Sequence, residues 1–404
     1  MASLPRSFEQ IPIDRLTVPQ EILDLESRER TNLFPWRGQF SPCLVEALLS
    51  QYASANHCVF DPFAGVGTTL FEASRKQLAS YGTEINPAAI AMATTVLFVP
   101  LSRPERIEAV EASESVLGET LRGGLPLFGS GVESASSRLV DLISSVASPL
   151  ERSLLINTLV RAMKSSADIT ARDIHQAFRQ HSDIVMALPT SKRECTVFQL
   201  DARRTGLDPG SVDLVITSPP YINVFNYHQN NRPAMELLGC DVLAVAKSEF
   251  GSNRKHRGNR LLTVIQYCLD MYTTFVELKR VMKSSGRAIV VVGRESNVRG
   301  LAFRNGSLVA SVATIAGFHL DLRQERKFKN MFGELIYEDI LHLVPSKNCG
   351  KGSALAVGAQ ALEDHLTENI DPDVRQDLLG AIEGANGVSE SPLFGAHASS
   401  EARR

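Results

Sequence analysis

The chain has 404 residues, of which 44% are hydrophobic and 22% charged, with a formal net charge of −3. That composition suits a soluble globular protein with a sizeable core. It excludes a polycation, so any nucleic-acid contact has to come from local basic patches.

The first residues, MASLPRSFEQIPIDRL, lack the apolar core of a secretory signal, and no apolar run reaches bilayer-spanning length. A cytoplasmic protein without a membrane partner is expected. Six scattered cysteines with no CxxC or Cys/His spacing are read as isolated thiols, with no metal site. Residues 1–33 form a polar, partly helical lead-in. In 33–52, Ser41-Pro42 opens a helix with Leu44, Leu48 and Leu49 on its apolar face. CVFDPFAGVGTTLFEASRKQ reads as strand, glycine turn and helix, and ASYGTEINPAAIAMATTVLF as a second strand, turn and helix. That alternation predicts a parallel, doubly wound α/β sheet.

From 101 to 192 the periodicity is helical, which predicts a helical insertion too long for an ordinary crossover. The α/β pattern resumes with strands in ECTVFQLDA and VDLVITSPPY, a long amphipathic helix from Leu261, and a buried strand in GRAIVVVGR. NGSLVASVATIAG predicts a helix capped by Asn305. FHLDLRQERKF and ELIYEDILHLVP alternate as two paired strands. Residues 1–345 are expected to form one catalytic domain interrupted by the insertion. In 346–404, two short helices precede a flexible tail over ANGVSESPLFGAHASSEARR.

Three segments carry the chemistry. In Asp61-Pro62-Phe63-Ala64-Gly65-Val66-Gly67-Thr68-Thr69, glycines after a strand allow a sharp turn and close approach of a ligand to the backbone. The third glycine of a dinucleotide fingerprint and the Gly-Lys-Ser/Thr of a P-loop are both absent. Glu84, ending the second strand, can accept bonds from two ribose hydroxyls. Asp201-Ala202, ending the strand after the insertion, places an acid where it can meet an adenine amino group. Together these outline an adenosine-bearing ligand without a pyrophosphate. Thr217-Ser218-Pro219-Pro220-Tyr221 then delivers two rigid prolines beyond the sheet's carboxyl edge. The Ser218 hydroxyl and Pro219 carbonyl can accept bonds from an aromatic amine. Tyr221 offers a face for a base, which a duplex would have to flip out.

At these residues the chain resembles the DNA amino-methyltransferases of bacterial restriction–modification systems, over most of 33–345 outside the insertion. The resemblance implies a Rossmann-like class I methyltransferase with a mostly parallel seven-stranded sheet. It implies S-adenosylmethionine as cofactor, held by Asp61, Phe63, Ala64, Gly65, Gly67, Thr68, Thr69, Glu84, Asn86, Asp201 and Ala202. Phe40, with Trp36 and Pro42, is similar to the lead-in that closes over the methionine end. Ser218, Pro219, Pro220 and Tyr221 resemble the catalytic tetrapeptide in its N4-cytosine form. FKNMFGELIYEDILHL is similar to the closing hairpin. The cofactor motif precedes the catalytic motif, the reverse of many Ser-Pro-Pro-Tyr enzymes. The implied substrate is double-stranded DNA, with a cognate restriction endonuclease or defence protein as partner.

Arg254, Lys255, Arg257 and Arg260, in SEFGSNRKHRGNR, are candidate phosphate contacts, as are Arg323, Arg326, Lys327 and Lys329 near the closing hairpin. Tyr227 and His228 are placed either against a base or in the core. N6-adenine methylation, an RNA amino-methyltransferase and a catalytically silent nucleic-acid-binding scaffold stand as alternatives. A C5-cytosine enzyme is excluded, because the one Pro-Cys pair, Pro42-Cys43, precedes the cofactor motif.

Overall fold

A computed structural model describes residues 8–25, 31–36, 38–122, 134–164, 168–222, 227–251, 256, 258–329, 333–348, 350–367 and 370–395. The lead-in holds the short helix α1 (Gln20–Leu23), and α2 (Pro42–Tyr52) follows with Pro42 in its first turn. Leu44, Val45, Leu48 and Leu49 of α2 are all buried. Then come β1 (Cys58–Asp61), α3 (Thr68–Arg75), β2 (Ala79–Thr83) and α4 (Pro87–Ala93). Asn86 caps α4, its side chain accepting from the amides of Ala88 and Ala89.

Among the described residues, four helices lie in the predicted insertion: α5 (Arg103–Arg122), α6 (Ala135–Ser145), α7 (Pro149–Ala162) and α8 (Ala171–Ala187). They share a core with Val66, Leu70 and Phe71. Arg106 is 2% exposed and donates to the carbonyls of Phe98, Val99, Val185, Leu188 and Pro189. One buried guanidinium therefore ties the start of the insertion to its end. Asn157 of α7 donates to the Ala91 carbonyl at 2.6 Å, fixing the bundle to α4.

The chain continues through β3 (Cys195–Phe198), β4 (Val212–Thr217), α9 (Arg232–Leu237), α10 (Val242–Ser248), α11 (Leu262–Val281) and β5 (Met282–Gly293). Next are β6 (Glu295–Val298), β7 (Leu301–Arg304), α12 (Asn305–Ile315), β8 (Phe318–Lys329), β9 (Leu335–Pro345), α13 (Ala354–Glu363) and α14 (Pro372–Glu383). Seven strands form one sheet in the order β3-β2-β1-β4-β5-β9-β8. The first five are parallel, and β9 pairs antiparallel with both β5 and β8. This is the expected doubly wound, mostly parallel seven-stranded sheet of the Rossmann-like type. Side chains alternate with period two: Val59, Leu214, Ile216, Ile289 and Val291 face α2, and Phe60, Val215, Ala288, Val290 and Val292 face α11 and α12. The chain leaves β1 toward β2 on one side and meets β4 on the other. A ligand crevice is expected at that switch point.

Three expectations are corrected. Asn305 is the first residue of α12 and does not cap it; its amide donates instead to the Gly293 carbonyl and Ser296 hydroxyl, because the β6–β7 hairpin folds back onto β5. That hairpin was not foreseen. Its turn holds Arg299 at φ 59° and Gly300 at φ 84°, and arginine is a rare occupant of the left-handed region. Arg323 and Arg326 are buried side chains, not phosphate contacts. Arg323 lies over the Phe8 ring and pairs with Asp339, and Arg326 pairs with Glu338 at 2.6 Å. Finally, residues up to 395 are not a loose tail: Ser391 is buried, and the segment around it docks against α11 through Asp270. Helices α13 and α14 join the main core through Leu362, Leu378 and Ala381. Among the described residues no helix is long and apolar enough to cross a membrane.

Candidate functional site

The carboxyl ends of β1, β2, β3 and β4 open on one cleft of about 880 Å³, counted to its open mouth. Gly65 has φ 52°, and a Cβ built on it would meet nothing within 4 Å. The turn therefore needs glycine for its backbone, and its bare face looks into open space. Gly67 serves differently, as the N-cap of α3 packed against Phe71 and Ala93. Asp61 fastens this turn to the proline loop. Its Oδ1 accepts from the Thr217 hydroxyl at 2.6 Å and the Phe63 amide at 3.1 Å, and its Oδ2 from the Thr69 hydroxyl at 2.7 Å. Burial raises its pKa to about 6, and these three donors pull the other way. Phe63, Ala64, Gly65 and Thr68 line the cleft with Phe40, whereas the Thr69 hydroxyl is turned inward.

Glu84 stands across from the turn. One oxygen accepts from the Gly65 amide at 2.9 Å and the other from the Asn86 amide at 2.7 Å. Each oxygen keeps a further lone-pair direction, which is what two adjacent hydroxyls require. Burial raises the Glu84 pKa to about 7, against the pull of the Asn86, Gly65 and Ile85 amides. Asn86 also lines the cleft, and its amide holds the Tyr227 carbonyl at 2.9 Å.

Asp201 and Ala202 reach the cleft too, but the Asp201 carboxylate is already saturated. Its Oδ1 accepts from the Arg203 amide and Nε, and its Oδ2 from Arg203 Nη2 at 2.7 Å and the Phe394 amide at 3.0 Å. A carboxylate offers about four acceptor directions, and all are taken. The expected bond from this side chain to an adenine amino group has no free direction left. Arg203 also bridges to Asp270 at 2.9 Å and to the carbonyls of Ser391 and Pro392.

Ser218 and Pro220 line the same cleft, and Pro219 is buried behind them. The Tyr221 ring lies beside the cleft against Gly293, where a Cβ would meet it at 3.2 Å. Its hydroxyl is 3.2 Å from Ser218 Oγ and donates to Glu338 at 3.3 Å. Burial foremost, then the Glu338 charge, pushes the phenol pKa far above its usual value, so it remains a donor. Arg326, on the other side of Glu338, completes this chain from Ser218 to β8.

Of the basic loop, Arg254, Lys255 and Arg257 lie outside the described residues, and Arg260 is exposed. Lys327 and Lys329 are exposed on β8. Among the wall residues that the sequence did not place there are Tyr227, read as base contact or core, and Glu249 and Phe250, which were not singled out. His228 is buried and bonds Glu249 through Nδ1 at 2.6 Å. No local pattern marks Glu249, which follows the short α10 and meets the cleft only through the fold.

Residues 18–95 match the family model of the N6/N4-type DNA methylases. The match includes the glycine turn and Glu84 and stops before the proline loop. A Type II methyltransferase, M.MjaII of Methanocaldococcus jannaschii, is 36% identical over 67 residues, 16% of this chain. The aligned stretch spans 13% of that relative's length. A SAM-dependent methyltransferase from Methanosarcina mazei aligns over 74% of this chain and 98% of its own, at 11% identity and TM-score 0.34. The rRNA methyltransferase aviRa from Streptomyces viridochromogenes aligns over 86% and 96%, at 11% identity and TM-score 0.31.

Proposed function

We propose that this chain, a member of the DNA amino-methyltransferase family in the segment bearing its glycine turn, methylates an exocyclic amino group of a base in double-stranded DNA. The target we assign is N4 of cytosine. One observation carries the reading: the glycine turn, Glu84 and Ser218 border a single cleft at the switch point of the sheet. The cleft suits S-adenosylmethionine. Gly65 presents bare backbone, Glu84 keeps two acceptor directions for hydroxyls, and the buried Oε1 of Glu249 has no partner.

S-adenosylmethionine supplies an electrophilic methyl group on a sulfonium sulfur. The protein's part is positioning and electrostatics. The backbone at Gly65 and the Glu84 carboxylate hold the nucleoside half, and Phe40 and Trp36 border the cleft from the lead-in. Ser218 Oγ and the Pro219 carbonyl accept bonds from the two N–H groups of the target amine, which localises its lone pair. The Asp61 bonds to Thr69 and Thr217 keep the two halves of the site in register. Tyr221, anchored through its hydroxyl, offers its ring to the flipped base. Arg260 and the neighbouring basic residues of its loop attract the phosphates. The Ser-Pro-Pro-Tyr form favours N4 of cytosine, and N6 of adenine is the second reading.

The test is incubation with duplex DNA and labelled cofactor, followed by nucleoside mass spectrometry. N4-methyldeoxycytidine is expected. N6-methyldeoxyadenosine selects the second reading, and no DNA product with a well-folded, cofactor-binding protein refutes DNA methylation. Tyr221→Ala is expected to reduce turnover at least tenfold while cofactor affinity stays within threefold.

A further inference from the structure

We propose that Glu249, and not Asp201, is the carboxylate that receives the amino group of the cofactor's adenine. The inference rests on the cleft being the S-adenosylmethionine site. All four bonds on Asp201 come from its own chain, two to each oxygen. Glu249 has the opposite condition. It is 7% exposed and lines the cleft; its Oε2 is held by His228 at 2.6 Å, and its buried Oε1 has no hydrogen-bond partner. A buried carboxylate oxygen without a donor is costly, and a ligand N–H relieves that cost when it docks.

Position argues for adenine as the source of that N–H. The next residue, Phe250, meets the Phe63 ring edge-on at 5.3 Å, and the Arg203 guanidinium lies 4.9 Å from its centroid. Glu249 therefore belongs to the corner where β3 ends, on the side assigned to the base of the cofactor. Glu249 and Glu84, the acid assigned to the ribose, line the same cleft with Tyr227. The loop is held there by Gly251, at φ 65°, whose Cβ would stand 2.8 Å from the Tyr221 carbonyl. His228, in turn bonded by Gln229, fixes the carboxylate's orientation. Glu249 is thus a specificity-determining residue: it favours a 6-amino purine over one that lacks the group.

Calorimetry with S-adenosylhomocysteine and its 6-deamino (purine riboside) analogue tests this. The wild-type protein should prefer the amino compound at least tenfold, and Glu249→Ala should bring the two within threefold. Glu249→Gln keeps shape and packing, and carries the test if the alanine variant loses its cooperative melt; its preference should shrink to about threefold. A tenfold preference that survives in every folded variant overturns the proposal, as does a wild-type protein that binds both compounds equally. A wild-type protein that binds neither overturns the reading of the cleft itself, and this inference falls with it.

Discussion

Ser391→Ala probes the docked C-terminal segment through a single atom. The Ser391 amide still donates to Asp270 Oδ1 at 2.8 Å and its carbonyl still receives Arg203, but the Oγ bond to Oδ2, at 2.7 Å, is lost. A hydrogen bond to a charged group contributes about 1.5–3 kcal/mol. At about 2.1 cal/mol/K per residue, unfolding this chain carries an entropy of roughly 0.8 kcal/mol/K, so Tm should fall by about 2–4 °C. The fall should also depend on pH. Burial lifts the folded pKa of Asp270 from 3.8 to about 7, despite the opposing Arg203 charge and the two Ser391 donors. A carboxyl raised in the folded state contributes stability that is complete below 3.8 and lost as pH rises through 7. Removing a donor to the ionised form lifts the folded pKa further, so the extra loss appears above pH 7. Scanning fluorimetry of both proteins at pH 5.5 and 8.5 should give the larger Tm difference at pH 8.5. Equal differences, or none, would show that this serine does not hold the ionised carboxylate.

Gly65→Val should lower S-adenosylhomocysteine affinity at least hundredfold, because its side chain enters the open face of the turn; the strained φ alone costs about 1–2 kcal/mol of stability. Titration calorimetry beside a melting curve separates the two effects, and retained affinity removes Gly65 from the site. Affinity should rise with pH and level off above about 7, as Glu84 ionises and becomes an acceptor; at pH 6 it should be lower by up to about tenfold, and Glu84→Gln should flatten the profile. A wild-type profile that stays level between pH 6 and 8 would refute the Glu84 assignment. Arg326→Ala leaves Glu338 buried and unpaired, so it should cost about 3–5 kcal/mol by urea unfolding. The salt slope of DNA binding should not change, whereas loss of a phosphate contact would lower it by about one.

The strands were legible because a sheet buried on both faces leaves short runs of Val, Ile and Leu, as in VDLVI and AIVVV. The turn and the proline loop were legible because glycine and proline act on the backbone directly. What stayed hidden depends on neighbours brought from far along the chain. Arg326 looked like a phosphate contact until Glu338 was seen opposite it in the β8–β9 register. Asp201 sat at the correct strand end, yet its bonding capacity is taken by Arg203 and by Phe394, 193 residues later. Glu249 has no local signature, since its significance lies in His228 on one side and a vacant acceptor on the other. The SESPLF segment has the composition of a tail, and the buried Asp270 of α11, with Arg203, makes it a fixed strap.

Both ends of the described chain are stitched to distant partners. Ile13 bridges Arg323 on the outer strand β8, with the Asp14 amide bonded to the Arg323 carbonyl at 2.7 Å, and Phe394 reaches Asp201. During synthesis, β1 and β2 can pair early, but the lead-in waits for β8, and the Asp201 corner waits until Phe394 has left the ribosome. A chain released before that residue would carry the glycine turn and the proline loop but an unfinished corner at Asp201.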